Sequence, residues 1–208
     1  VPMLCDIILS NMSENVAYDR DLVTRYLNGD KSAFSELVKR HKNLIYNLAF
    51  RMVGKTEEAE DLTQEIFIRL LDKVSLWRGE AKFSTWLYRL AINHCRDHLR
   101  RLRLETSEMN ETLSDPHPGP EQVTETREVR RLIENALIKL PVDFRAVVYL
   151  RDFACFSYSE IASILEIELG TVKSRLARGR LSLVRYLGTD EDSAKNREQI
   201  DAPDHLRG

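Results

Sequence analysis

Between Gly170 and Tyr186 the chain carries Lys173, Arg175, Arg178, Arg180 and Arg185, with no Asp or Glu among them. Cations at that density bind phosphates, and an arginine fork also matches the two acceptors of a guanine edge. A second cationic set runs from Tyr88 to Arg103, where Arg89, Arg96, Arg100, Arg101 and Arg103 face Asp97 alone, a net of +4. Just before it, WRGEAKFSTW interleaves Trp77, Phe83 and Trp86 with Arg78 and Lys82. Aromatics beside cations suit unstacked, single-stranded bases. Taken singly, Phe83 and Trp86 read as core residues; the arginines beside them do not. An opposite set follows Thr56, which is expected to cap a helix: Glu57, Glu58, Glu60, Asp61 and Glu65 sum to −5. The helix dipole favours acids in a first turn. Five exceed that need, and with Gln64 and Ile68 on the exposed side they fit a protein-docking face.

Catalytic and metal chemistry find little support. His94 and His98 are spaced four apart, as on a zinc-binding helix. The other histidines, His41, His117 and His205, are distant in sequence, and the surrounding arginines would repel a cation. There is no phosphate-cradling glycine loop and no recognisable Ser/His/Asp set, so neither an enzyme nor a cofactor is expected. Cys5, Cys95 and Cys155 are scattered, with no Cys-x-x-Cys. That spacing indicates neither a zinc site nor a disulfide framework, and it reads as buried thiols in a reducing cytoplasm.

The elements that must position these groups are helical. Ser157 and Glu160 have capping-box spacing, so a helix should start there and present Ile161, Ala162 and Leu165 on one face. Gly170 breaks the pattern, and Val172, Leu176, Leu183 and Val184 form the next apolar stripe. Two short helices around a turn, the second one basic, describe a helix-turn-helix with its second helix bound for the major groove. Upstream, Leu37, His41, Ile45, Leu48 and Met52, then Ala59, Leu62, Ile66 and Leu70, then Leu87, Leu90, Ala91 and Cys95 repeat helical steps. Val129, Leu132, Ile133, Ala136 and Leu137 do the same later. No strand alternation intervenes, so the fold is all-α, in two small helical bundles. From Leu104 to Thr126 there is no Lys or Arg, six acids, and Pro116, Pro118 and Pro120, which reads as an extended acidic linker. Residues 1–17 and 189–208 read as flexible ends, with Val1 and Met12 the two candidate starts. No apolar run approaches the ~20 residues that span a membrane. The overall charge of −2 would not suggest a nucleic-acid partner; its segregation along the chain does.

At this level of detail the chain resembles the extracytoplasmic-function sigma factors of bacterial transcription. DLTQEIFIRL (Asp61–Leu70) is similar to the family's polymerase-clamp-binding segment, and FSTWLYRLAIN (Phe83–Asn93) to its promoter-melting, −10-reading segment. LPVDFR (Leu140–Arg145) with Tyr158–Arg178 resembles its −35-reading domain. The resemblance implies sigma domain 2 over 18–103 and sigma domain 4 over 127–188. It places Asp61, Gln64, Glu65 and Ile68 on the β′ clamp helices of core RNA polymerase, and domain 4 on its β flap. Promoter −10 contacts would come from Arg78, Lys82, Phe83, Trp86, Arg89, Asn93, Arg96 and Arg100, with Asn93 near the pocket for a flipped base. Thr171, Lys173, Ser174, Arg175 and Arg178 would face the −35 element. Relatives often carry a larger residue at Ala177, so the −35 preference does not transfer. A separate anti-sigma factor is also implied, since nothing in the chain looks like a sensor. The rival is a regulator that binds DNA alone through its helix-turn-helix. It would need a ligand or receiver domain, usually with strands. Because a coiled linker rarely sets both domains at once, the free chain is expected to bind promoters poorly.

Overall fold

The structure, a computed structural model, describes residues 16–108 and 125–200, with side chains over 16–104 and 128–188. The expected ends and most of the expected linker lie outside the described residues. Helix α1 covers 16–27. It is followed by α2 (Lys31–Val53), α3 (Thr56–Lys73), a 3-10 turn (Val74–Leu76) and α4 (Phe83–Glu108). The second group is α5 (Glu125–Ile138), α6 (Val142–Val148), a π turn (Tyr149–Phe153), α7 (Tyr158–Leu165) and α8 (Leu169–Ile200). No strand occurs among the described residues, as the periodicities require.

Local chemistry sets the helix ends. Asp30 caps α2 by accepting from the Ser32 amide at 2.9 Å. Gly54 ends α2 at φ 85, a left-handed conformation that glycine adopts without steric cost. A Cβ at Gly54 would run into the Ile138 side chain of α5, so the bare backbone also lets the second group approach. Thr56 does not cap α3. Lys55 occupies that position with no side-chain cap, and Thr56 is the first helical residue. The capping box of α7 is complete: Ser157 Oγ accepts from the Glu160 amide, and Glu160 Oε2 accepts from the Ser157 amide at 2.9 Å. The turn into α8 pivots not on Gly170, which lies within α8, but on Glu166 at φ 55. There the Ile167 amide donates back to the Ala162 carbonyl at 3.1 Å and closes α7.

Two bundles form, yet they share one core. Buried Leu37, Leu48, Leu62, Ile66, Leu87 and Ile92 fill the first; Leu137, Val147, Leu150, Ile161 and Leu176 fill the second. Tyr88 of α4 joins them, packing on Tyr149 and Phe156. The apolar cluster therefore runs continuously through both groups, where the sequence reading separates them. Arg145 reinforces the seam: its buried guanidinium donates to the Met52 carbonyl at the end of α2 and to the Ile138 and Leu140 carbonyls. Burial lowers the pKa of that group to about 10, still far above neutrality, so it remains charged. Val184 and Val129, assigned to apolar stripes by spacing, are more than half exposed. Cys95 is free and buried, with its thiol pushed up to about 12 by burial. Cys155 is half-buried and disulfide-bonded, where the sequence reading expects a buried thiol.

Candidate nucleic-acid interface

The basic face of α8 is built by its first turns. Lys173, Ser174 and Arg178 are exposed there, and Thr171 is half-buried with its carbonyl accepting from Ser174 Oγ at 3.1 Å. Arg175 lies beside them but is half-buried and paired with Asp143 at 3.2 Å. Arg180 leaves the face: both arms of its guanidinium bond Asp152 at the end of the π turn. Sequence spacing alone groups Arg180 with the others because it cannot show a carboxylate 28 residues upstream. Gly179 is buried where α8 crosses α6, and a Cβ there would press on Val148. That close approach fixes which side of α8 faces outward.

A second face surrounds the start of α4. Asn93 is exposed at the edge of a cleft of about 320 Å³ lined also by Trp86, Arg89, Leu90, Arg69, Lys73 and Leu76. Trp86 is half-buried, its ring centroid 5.9 Å from that of Phe83, so one side of the indole is left for the cleft. Phe83 itself is 1% exposed, wedged among His41, Trp77 and Trp86. It supports the wall from behind and cannot touch a nucleic acid directly, a correction to the sequence expectation. Arg78 stands exposed on a loop pinned by Arg20, which donates to the Gly79 carbonyl at 2.7 Å. Arg100 is exposed and paired with Asp97 at 3.2 Å. The remaining cations turn toward the second bundle. Lys82 meets Glu160 at 3.0 Å, and Arg89 meets Glu166 at 3.0 Å while donating to the Ser163 carbonyl. Arg96 meets Asp143 at 2.8 Å. Burial pulls the Arg96 pKa down, against the support of Asp143. Sequence reasoning missed Arg69, Lys73 and Leu76; the i, i+4 spacing of Arg69 and Lys73 was the available signal.

On α3, Asp61, Gln64, Glu65 and Ile68 are all exposed, Ile68 at 62%. Leu71 and Leu76 extend the apolar part of that face. The acid cluster is partly engaged: Glu65 accepts from His94 Nε2 at 2.6 Å, and Glu58 pairs with Lys55 at 2.7 Å and with His98 at 3.7 Å. His94 and His98 thus face carboxylates of α3. The His94 pKa is lowered chiefly by burial, with Glu65 opposing and Arg69 assisting, so its ring is neutral at pH 7 and donates from Nε2.

Residues 37–105 match Sigma-70 region 2, and residues 130–183 match Sigma-70 region 4. The RNA polymerase sigma-H factor of Pseudomonas aeruginosa is 33% identical over 180 residues, covering 81% of this chain and 93% of the relative. The ECF RNA polymerase sigma factor SigW of Bacillus subtilis is 36% identical, covering 76% and 91%. The sigma-E factor of Escherichia coli is 34% identical, covering 81% and 93%. Among solved structures, CnrH in complex with the cytosolic domain of CnrY superposes with a TM-score of 0.61 at 25% identity, over 83% of this chain and 99% of that one. The sigma factor RpoE of Bartonella quintana, solved with the anti-sigma factor NepR, gives a TM-score of 0.62 at 23% identity, over 76% and 98%.

Proposed function

This chain belongs to the extracytoplasmic-function branch of the sigma-70 family and is an alternative sigma factor, and from that premise we propose how its residues divide the work. Residues 18–103 act as sigma domain 2 and 127–188 as sigma domain 4, joined by the acidic 104–126 stretch. Asp61, Gln64, Glu65 and Ile68 dock on the β′ clamp helices of core RNA polymerase, and domain 4 meets the β flap. Lys173, Ser174 and Arg178 read the −35 duplex through the major groove. Asn93 and Trp86 receive an extruded −10 base, whose extrusion costs only a few kcal/mol.

The observation that carries this reading is the cleft beside Asn93. A hydrogen-bonding amide, an indole wall and Arg69 and Lys73 at the rim together match the edge, face and phosphate of one nucleotide. The promoters are those of a stress or envelope response, and the site of action is the cytoplasm. No helix among the described residues is long and apolar enough to cross a membrane. A separate anti-sigma factor holds the protein in check. An apolar groove of about 580 Å³ between the bundles, lined by Leu44, Tyr88, Tyr149 and Phe153, offers it a surface. Reconstitution with core RNA polymerase tests the assignment. Run-off transcripts should start from a cognate promoter and vanish when either promoter element is scrambled. Transcription indifferent to both elements would overturn it.

A further inference from the structure

Asp143 holds one arginine from each reading helix. Its Oδ1 accepts from Arg96 of α4 at 2.8 Å, and its Oδ2 lies 3.2 Å from Arg175 of α8. Two further carboxylates of the second bundle, Glu160 and Glu166, take Lys82 and Arg89 of the first. Each of these four cations belongs to the proposed DNA-binding set, and each is paired with a carboxylate of the second bundle. Each acid is placed by its own element: Asp143 in the first turn of α6, Glu160 in the α7 capping box, Glu166 at the left-handed end of α7. Lys173, Ser174 and Arg178 remain exposed on α8. Lys82, Arg89 and Arg96 of the −10 set are therefore engaged, with Arg78 and Arg100 left exposed, while most of the −35 face stays open.

We infer that Asp143, Glu160 and Glu166 form an internal stand-in for promoter phosphates, which keeps the polymerase-free chain closed and withholds Lys82, Arg89 and Arg96 from DNA. This deepens the sigma-factor reading and rests on it. A cation already bound to a carboxylate exchanges one partner for another when phosphate arrives, so little free energy is left to favour binding. In the closed chain the −35 face can meet duplex DNA, but Lys82, Arg89 and Arg96 engage a phosphate only after their carboxylates release them. The aromatic seam at Tyr88 keeps them together until a larger surface, such as the polymerase, separates them.

The test uses the full chain without polymerase and a mixed-sequence single-stranded DNA 12-mer. The triple variant Asp143→Asn, Glu160→Gln, Glu166→Gln removes the charges and keeps the shapes; glutamine at 160 can still complete the capping box. A control, Glu36→Gln, Asp72→Asn, Glu128→Gln, makes the same change in net charge away from the seam. Freeing three or four cations should steepen the plot of log affinity against log salt by about 2–3, at roughly 0.7 per phosphate on single strands. Affinity at low salt should rise on the order of 10–100-fold, and the control should keep the wild-type slope. Equal slopes in all three proteins, or equal steepening in variant and control, would overturn the inference. So would small-angle scattering that finds the wild-type bundles apart at physiological salt. Run-off transcription by the wild type with core polymerase tests the sigma assignment separately, so the two readings can fail independently.

Discussion

Tyr88 of α4 sets its ring edge-on to Phe156 of the second bundle, with centroids 4.9 Å apart and planes at 77°. Such a geometry is attractive beyond its area burial, and Tyr88 is only 4% exposed. A residue of α4, the helix proposed to read the −10 element, is thus a core residue shared by both bundles. Tyr88→Ala should cost about 3 kcal/mol, as for other buried aromatics, read as a lower urea midpoint. A loss below about 0.5 kcal/mol, typical of a surface site, would show that the bundles separate freely.

Arg178 and Arg180 lie two residues apart on α8 and should behave differently. Arg178→Ala removes an exposed guanidinium from the proposed −35 face and should lower transcription by about 1–3 kcal/mol, or roughly 5- to 150-fold, with polymerase binding intact. Arg180→Ala breaks a partly exposed pair with Asp152 and should cost under about 1 kcal/mol of stability without changing promoter choice. Run-off transcription on promoters with altered −35 elements distinguishes them.

Asn93→Ala should leave closed-complex formation nearly unchanged and reduce strand opening. Permanganate reactivity of unpaired thymines at the −10 element measures the opening, and a gel shift at low temperature measures the closed complex. Equal losses in both would make Asn93 a structural residue only.

Acid should weaken the fold through His94. Its folded pKa lies below the ordinary histidine value, so the unfolded chain binds more protons and stability rises with pH across that window. The contribution is complete above the unfolded pKa of about 6.5 and is lost as pH falls toward the lower folded value. Urea unfolding at pH 7.5 and 5.5 should show this slope, and His94→Gln should flatten it.

Features set by neighbours in sequence were legible beforehand. Ser157 and Glu160 stand three residues apart, and their mutual capping needs nothing but that spacing. The helices followed from apolar periodicity, and the exposed Asp61, Gln64 and Ile68 from their place opposite it. Features set by contacts across the fold were not legible. Arg89 and Glu166 meet 77 residues apart, and Arg180 and Asp152 meet 28 apart. Phe83 reads singly as a core residue, and the −10 contact that the resemblance implied for it is closed off by His41 and Trp77 around it. Glu166 took the left-handed turn position that Gly170 seemed suited to, since its backbone is fixed by the end of α7 rather than by residue preference.

Gly54 ends α2 and also makes room for Ile138. A side chain there would act as a doorstop, meeting Ile138 before the two halves of the protein could meet each other. The smallest available change, a single methyl group, would strain the left-handed backbone and push the end of the Ile138 side chain aside, loosening the contact between α2 and α5 while leaving every charged residue in place. How closely the two bundles meet thus depends on a position that has no side chain at all.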